Sequence, residues 1–208
     1  FGLAECRQAV EMIAADALAL HLNPLQEALQ PEGQGDFRGL VAKIGEVAAG
    51  LGVPVIVKEI GCGLSARAAR ALSEVGVRIF DTAGAGGTSW ARIEARRAGD
   101  AELGELFADW GLPTPQSIRD LAGIGGLTII GSGGVRNGLD AAKTIALGAD
   151  LVGIAQPFLE AAHESAERAI ARARRTVREL TIAMFCAGAG SLAELARATL
   201  RERGPEGS

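Results

Sequence analysis

Five short apolar segments, separated by stretches with helical periodicity, constrain the fold of this chain more than any other feature. In one such stretch, Leu40, Ile44, Val47 and Ala48 recur at the spacing that places them on one face of a helix. Strands that alternate with helices in this way form parallel, right-handed βαβ units. The predicted strands lie at residues 17–23, 54–60, 77–82, 127–131 and 150–155.

The predicted fold class is α/β, a (β/α)8 TIM barrel that lacks its first three βα units. A complete barrel takes about 250 residues, whereas this chain has 208 and opens inside a helical pattern. We therefore expect upstream units before Phe1, a single partial-barrel domain over 1–208, and a frayed tail at 203–208. Helices are predicted at 1–14, 36–51 (capped by Asp36), 66–75 (capped by Ser65), from Thr114 or Ser117, and at 138–147, 157–185 and 191–201, with an irregular segment at 83–111.

Composition narrows the class of protein. The net charge of −4 does not indicate binding to nucleic acid or to an anionic membrane. No run approaches the roughly 18 apolar residues of a membrane span, and the first residues do not form a signal peptide. The cysteines Cys6, Cys62 and Cys186 form no C-x-x-C pair, which favours reduced thiols and a cytoplasmic location.

The first predicted strand has two different faces. Its leucines (18, 20 and 22) fall on one side, and Ala17, Ala19, His21 and Asn23 fall on the other. Pro24 ends the strand because proline cannot donate to a ladder, and Gln26 and Glu27 follow at once. Barrel enzymes keep their chemistry at such strand ends. The alternative is a polar strand terminus with a helix cap.

A glycine-rich turn follows the fourth predicted strand. In Ile-Gly-Ser-Gly-Gly-Val-Arg-Asn-Gly, at 130–138, a strand runs through bare backbone into a helix, an arrangement that holds phosphate groups. Arg136 adds a positive charge at the rim, and Ala155 and Gln156 end the next strand as a partner loop. Tight-turn glycines with no ligand are the alternative interpretation.

Two further stretches carry candidate residues. Lys58 ends the second strand, with only Glu59 nearby as a possible compensating charge, and on the opposite face. In Gly-Gly-Thr-Ser-Trp at 86–90, Thr88 precedes Trp90, which shares a helix face with Glu94. The alternatives are a solvent-facing or ion-paired lysine and an exposed glutamate in a basic stretch.

These segments together resemble the type 2 isopentenyl-diphosphate isomerases, which are flavin-dependent barrel enzymes. The resemblance covers roughly residues 3–151, in the order of that family. It is carried by His-Leu-Asn-Pro-Leu-Gln-Glu at 21–27, Val-Lys-Glu-Ile-Gly-Cys-Gly-Leu-Ser at 57–65, Asp-Thr-Ala-Gly-Ala-Gly-Gly-Thr-Ser-Trp at 81–90 and Gly-Gly-Val-Arg at 133–136.

The resemblance implies isomerisation of isopentenyl diphosphate to dimethylallyl diphosphate, without net redox change. It implies FMN reduced by NADPH, Mg²⁺, and a homo-oligomer (tetramer or octamer). Glu27 would hold the metal, His21 and Asn23 the diphosphate, and Gln26 the hydrocarbon end, with Gln26 and Glu94 as catalytic candidates. The residues implied for FMN are Lys58, Thr88, Gly134, Val135, Arg136, Ala155 and Gln156.

Two other functions remain open. An FMN-dependent oxidoreductase of the 2-hydroxy-acid type would share the phosphate turn, but should carry a catalytic histidine near an arginine on late strands, which the sequence does not show. A non-catalytic half-barrel is the structural alternative.

Overall fold

A computed structural model describes residues 2–201, so the predicted tail at 203–208 lies outside the described residues. It contains one five-stranded sheet in the order β1-β2-β3-β4-β5, and all four pairings are parallel. This succession of parallel strands is an arc of a (β/α)8 barrel, which confirms the predicted class. The strands are β1 Leu18–His21, β2 Val55–Lys58, β3 Ile79–Asp81, β4 Thr128–Gly131 and β5 Leu151–Val152.

The register of the strands separates the two faces of the sheet. Leu20, Val57, Phe80 and Ile129 pair across β1 to β4, and all four are buried in the main hydrophobic core against the helices. This confirms the apolar face predicted for the first strand. One residue further along, His21, Lys58, Asp81 and Ile130 form the next paired level, so their side chains project from the opposite, inner face.

The helices follow the strands as the sequence predicts, and five of those in residues 2–201 begin at side-chain caps. Ser65 accepts from the Ala68 amide at 3.2 Å, and Asn137 accepts from the Asp140 amide at 2.8 Å. None of the helices in residues 2–201 is long and apolar enough to cross a membrane. They are α1 Leu3–Ile13, α2 Pro24–Leu29, α3 Leu40–Gly50, α4 Ala66–Glu74, α5 Trp90–Arg97, α6 Ala101–Leu106, α7 Thr114–Ala122, α8 Gly138–Ala146, α9 Gln156–Glu164, α10 Ala166–Cys186 and α11 Leu192–Leu195.

The segment at 83–111, predicted as irregular, contains the two helices α5 and α6. They pack closely, because a Cβ atom on Gly104 would lie only 2.6 Å from the Cβ of Ala95. Asp100 begins α6 by accepting from the Leu103 amide at 3.0 Å. The prediction was wrong here because the glycines at the start of the segment obscured the short helices after them.

Three predicted helix boundaries are also wrong. The helix predicted at 157–185 is two helices, because extended Ser165 ends α9 and its hydroxyl caps α10 by accepting from the Arg168 amide at 3.2 Å. Asp36 caps no helix; it pairs with Arg38 at 2.7 Å, and Gly39 precedes α3. The last helix, α11, ends at Leu195.

Candidate active site

A hydrogen bond between distant segments at the carboxyl ends of the strands joins Gln26 to Glu94. Gln26 Nε2 donates to Glu94 Oε1 at 2.8 Å, although the two residues lie 68 positions apart. Glu94 is only 2% exposed, so the alternative of an exposed glutamate is wrong. Arg97 Nη1 donates to Glu94 Oε2 at 2.5 Å, and its Nη2 donates to Glu32 at 3.0 Å. The buried carboxylate is therefore charge-compensated.

Arg97 is a residue of this site that the sequence interpretation missed. The signal for it was its position three residues after Glu94, where two helical side chains can pair.

Asn23 and Glu27 form the second part of this cluster. Asn23 is buried, and its Nδ2 donates to Gln26 Oε1 at 3.0 Å and to Glu27 Oε1 at 2.8 Å. Glu27 Oε2 accepts from the Gln34 amide at 2.8 Å. The Gln34 amide first, and then the Asn23 side chain, hold the pKa of Glu27 below its ordinary value, so the carboxylate is ionised at neutral pH.

Glu27 is a lone candidate ligand for a metal. Among the described residues, no group of three or more histidine, cysteine, aspartate or glutamate side chains could hold a metal ion. Magnesium is commonly bound by one or two carboxylates, with substrate phosphates and water completing the shell. The donor set fits a cation that is shared with a phosphorylated ligand.

The side chain of Glu59 stabilises the turn that follows Lys58. Its side chain is 4% exposed, and Oε2 accepts from three successive amides: Ile60 and Gly61 at 2.7 Å and Cys62 at 2.5 Å. Lys58 Nζ donates to the Glu59 carbonyl at 2.5 Å.

Lys58 also has polar neighbours on the adjacent strands that the sequence interpretation did not consider. In the sheet register it lies between His21 on β1 and Asp81 on β3. These neighbours come from the pairing of the strands, so they cannot be recognised from the residues that flank Lys58 in the sequence.

Cys62, close to the site, has no nucleophilic character. Burial first, and then the charge of Glu59, raise the pKa of its thiol to about 11. A thiol with this pKa stays protonated at neutral pH, and the thiolate is the reactive form.

The glycine-rich turn after β4 offers unpaired backbone donors. Within residues 2–201, the amides of Gly133, Gly134 and Val135 donate to no protein acceptor, and neither do those of Ala155 and Gln156 after β5. The two turns meet, because a Cβ on Gly153 would lie 2.7 Å from the Cβ of Ser132. Converging free amides of this kind bind anions such as phosphate.

One helix terminus of the predicted phosphate site is partly occupied by protein acceptors. The sequence interpretation took the start of the helix after the glycine turn, α8, as part of the phosphate site. In the structure, Glu179 Oε2 accepts from the Gly138 amide at 2.9 Å, and the Asn137 side chain accepts from the Asp140 amide of the same turn at 2.8 Å. Besides the amide of Leu139 in α8, open amides lie in the turn itself and at the start of α9.

Arg136 ties two loops together. Its Nη1 donates to the Gly134 carbonyl at 2.9 Å and its Nη2 to the Gly86 carbonyl at 3.0 Å. Thr114 Oγ1 likewise donates to the Gly133 carbonyl at 2.6 Å. The loop after β3 therefore supports the phosphate turn.

Gly134 allows these two loops to approach each other. A Cβ at this position would lie 2.2 Å from the Gly86 carbonyl oxygen, and its φ is +75°. We expect Gly134→Ala to separate the loops and to lower FMN affinity at least tenfold, about 1.4 kcal/mol, as measured by flavin fluorescence. Gly125→Ala is the matched control, since its φ is +76° and a Cβ there would meet nothing within 4 Å. Equal FMN affinity in the two variants would contradict the cradle.

The remaining predicted residues are more open. His21 is exposed on the inner face, Thr88 is exposed in the loop after β3, and Gln156 Nε2 turns back to Glu160 on α9. A pocket of about 640 Å³, lined in part by Leu22 and Trp110, includes none of the predicted site residues.

The fold and these turns define an α/β-barrel protein with two turns of open backbone amides at the ends of its last strands. A family model described as FMN-dependent dehydrogenase matches residues 32–202. The chain belongs to this family.

Curated relatives at about half identity carry one name, isopentenyl-diphosphate delta-isomerase. The protein from Synechococcus sp. is 53% identical over 198 residues, which are 93% of this chain and 57% of the relative. The protein from Stutzerimonas stutzeri is 50% identical over 206 residues, 96% of this chain and 59% of the relative. The predicted resemblance is confirmed, and the chain spans less than two thirds of the length of these relatives.

Solved structures at lower identity show the fold alone. A mandelate oxidase variant with a monooxide FMN adduct matches with a TM-score of 0.67 at 20% identity, over 94% of this chain and 57% of that one. GMP reductase from Trypanosoma brucei matches with a TM-score of 0.67 at 23% identity, over 97% of this chain and 43% of that one.

Proposed function

We propose that this chain carries the flavin and proton-transfer part of an isomerase that converts isopentenyl diphosphate to dimethylallyl diphosphate. The observation that carries the proposal is the 2.8 Å hydrogen bond between Gln26 and Glu94. It joins the two side chains that the resemblance marks as catalytic. The similarity to curated isomerases supports the same function.

Glu94 is suited to hold or move a proton in this reaction. Allylic isomerisation adds a proton at one carbon and removes one from another, with no net redox change. Burial excludes water from the carboxylate, while Gln26 fixes Oε1 and Arg97 fixes Oε2. Gln26 has no titratable proton, so it orients Glu94 and lines the hydrocarbon end of the substrate.

FMN is the cofactor of the family, and the cradle fits its phosphate. The amides of Gly134, Val135, Ala155 and Gln156 would hold the phosphate, with Arg136 bracing the turn between them. Lys58 would place a cation against the flavin ring, and Thr88 would add a polar contact. The reduced flavin, when bound, supplies a proton-transfer centre and a delocalised negative charge that a neighbouring cation stabilises.

The diphosphate end of the substrate would meet His21 and a magnesium ion held by Glu27. Both amide protons of Asn23 go to Gln26 and Glu27 in the structure. We therefore assign Asn23 a part in substrate binding that acts through the position of Glu27. NADPH as the reductant, a cytoplasmic location and a tetrameric or octameric assembly belong to the same proposal.

A magnesium titration tests the metal role of Glu27. We expect the variant Glu27→Gln to lose the magnesium stimulation of isomerisation while its FMN affinity stays within twofold, because the amide keeps the shape and loses the charge. The measurement is conversion of isopentenyl to dimethylallyl diphosphate with FMN and NADPH, with and without Mg²⁺. The assay is run on this chain and on a hybrid protein, in which the part of the Synechococcus relative that this chain does not cover is joined to this chain.

Glu46→Gln, an exposed position on α3, is the control for loss of one surface charge. Equal magnesium stimulation in Glu27→Gln and in the unmodified protein would overturn the metal assignment. No isomerisation by the hybrid would overturn the proposed function itself.

A further inference from the structure

Helix α10 contacts the glycine-rich turn after β4 at residues 136–138. These residues lie outside the group of open amides described above. A Cβ on Gly138 would lie 2.3 Å from the Thr176 carbonyl oxygen and 2.4 Å from the Leu180 nitrogen. Only glycine lets the backbones of α8 and α10 come this close. The start of α8, and with it the end of the turn, is therefore set by α10.

Two side chains of α10 bind the turn itself. Glu179 Oε2 accepts from the Gly138 amide at 2.9 Å, and Arg172 Nη2 donates to the Arg136 carbonyl. Arg175 pairs with the other oxygen of Glu179 at 2.8 Å. Both ends of the segment from Arg136 to Gly138 are thus held by one helix.

Glu179 is charged at neutral pH. The Gly138 amide first, and then Arg175, hold the pKa of its carboxyl below the ordinary value. An anion at the N-terminus of a helix is stabilised by the helix dipole. Glu179 therefore occupies the anion position at α8 that a phosphate would otherwise take.

We propose that Glu179 is a positioning residue for the flavin phosphate. It closes the N-terminus of α8 and fixes the turn, so that the free amides of Gly133 to Val135 and of α9 present the open anion site. The inference rests on the proposed FMN site and names a residue that acts without contact with the flavin.

The test compares FMN with riboflavin, which has the same ring system and no phosphate. Dissociation constants of both are measured by fluorescence for the full chain and for Glu179→Ala and Glu179→Gln. We expect Glu179→Ala to weaken FMN about tenfold, the effect of losing one charge-assisted hydrogen bond. Riboflavin affinity should stay within twofold, and Glu179→Gln should recover most of the FMN affinity because its carbonyl still accepts from Gly138.

Glu164→Ala is the matched control. Glu164 also forms an i,i+4 ion pair with an arginine of α10, Arg168, at 3.1 Å, and has no bond to the turn among the described contacts. Unchanged FMN affinity in Glu179→Ala, or an equal loss for FMN and riboflavin, would overturn the inference. If the unmodified chain did not prefer FMN over riboflavin, the proposed phosphate site would itself be wrong.

Discussion

Glu59→Ala is expected to lower the free energy of unfolding by about 3–5 kcal/mol, because it leaves three part-buried amides without an acceptor. Glu59 is 4% exposed, and one of its oxygens accepts from Ile60, Gly61 and Cys62. Each orphaned buried donor costs about 1–3 kcal/mol, and partial entry of water offsets some of the sum. The measurement is urea unfolding followed by circular dichroism.

The comparison variants show whether the amides are the cause. Glu59→Gln keeps an acceptor oxygen and should recover more than half of the loss. Glu194→Ala removes an exposed carboxylate that accepts from the Gly190 amide at 2.6 Å, and we expect a change of about 0.5 kcal/mol or less. A destabilisation of Glu59→Ala no larger than that of Glu194→Ala would show that the turn holds its shape without the carboxylate.

The predicted strands and their faces could be read from the sequence because they depend on local alternation. Leu18 and Leu20 pack in the core as their spacing predicts, and Ala19 and His21 project from the other face. A period of two directly reports which face is buried. The turn at 130–138 could also be predicted from the sequence, because glycines are required where two backbones approach closely.

Contacts between distant segments could not be read in this way. The contact of Glu94 on α5 with Gln26 on α2 joins two side chains that lie 68 residues apart in the chain. The closure of α8 by Glu179 depends on a helix that begins 28 residues after Gly138. Nor does the sequence show that Ser165 is extended, because Ser is compatible with both a helix interior and a cap.

The site consequently divides into local and assembled parts. The glycine-rich turn after β4 is local in sequence, although side chains of α10 hold its end. The Gln26–Glu94 pair is assembled by the barrel arc, which brings the loops after β1 and β3 together. A variant at the pair should therefore affect the chemistry and leave the cofactor in place.

Glu94→Gln is the variant with the largest expected effect on activity. Removing a positioned acid or base lowers turnover by about 10²- to 10⁴-fold. FMN affinity should stay within twofold, because no described contact joins Glu94 to the phosphate turn. Turnover of isopentenyl diphosphate is measured with FMN, Mg²⁺ and NADPH in the hybrid with the Synechococcus relative, and flavin fluorescence gives the affinity in parallel.

The control for Glu94→Gln is Glu105→Gln. It neutralises an exposed carboxylate on α6, which is paired with Arg92 on α5 at 3.0 Å. It removes the same charge near the same helices and should leave turnover within twofold, since exposed ion pairs contribute little. Glu94→Gln also leaves Arg97 paired with Glu32 at 3.0 Å, so no guanidinium is left without a partner. A drop in turnover that was accompanied by an equal loss of FMN would assign Glu94 to folding of the site. Undiminished turnover would exclude Glu94 from proton transfer and leave that work to the flavin.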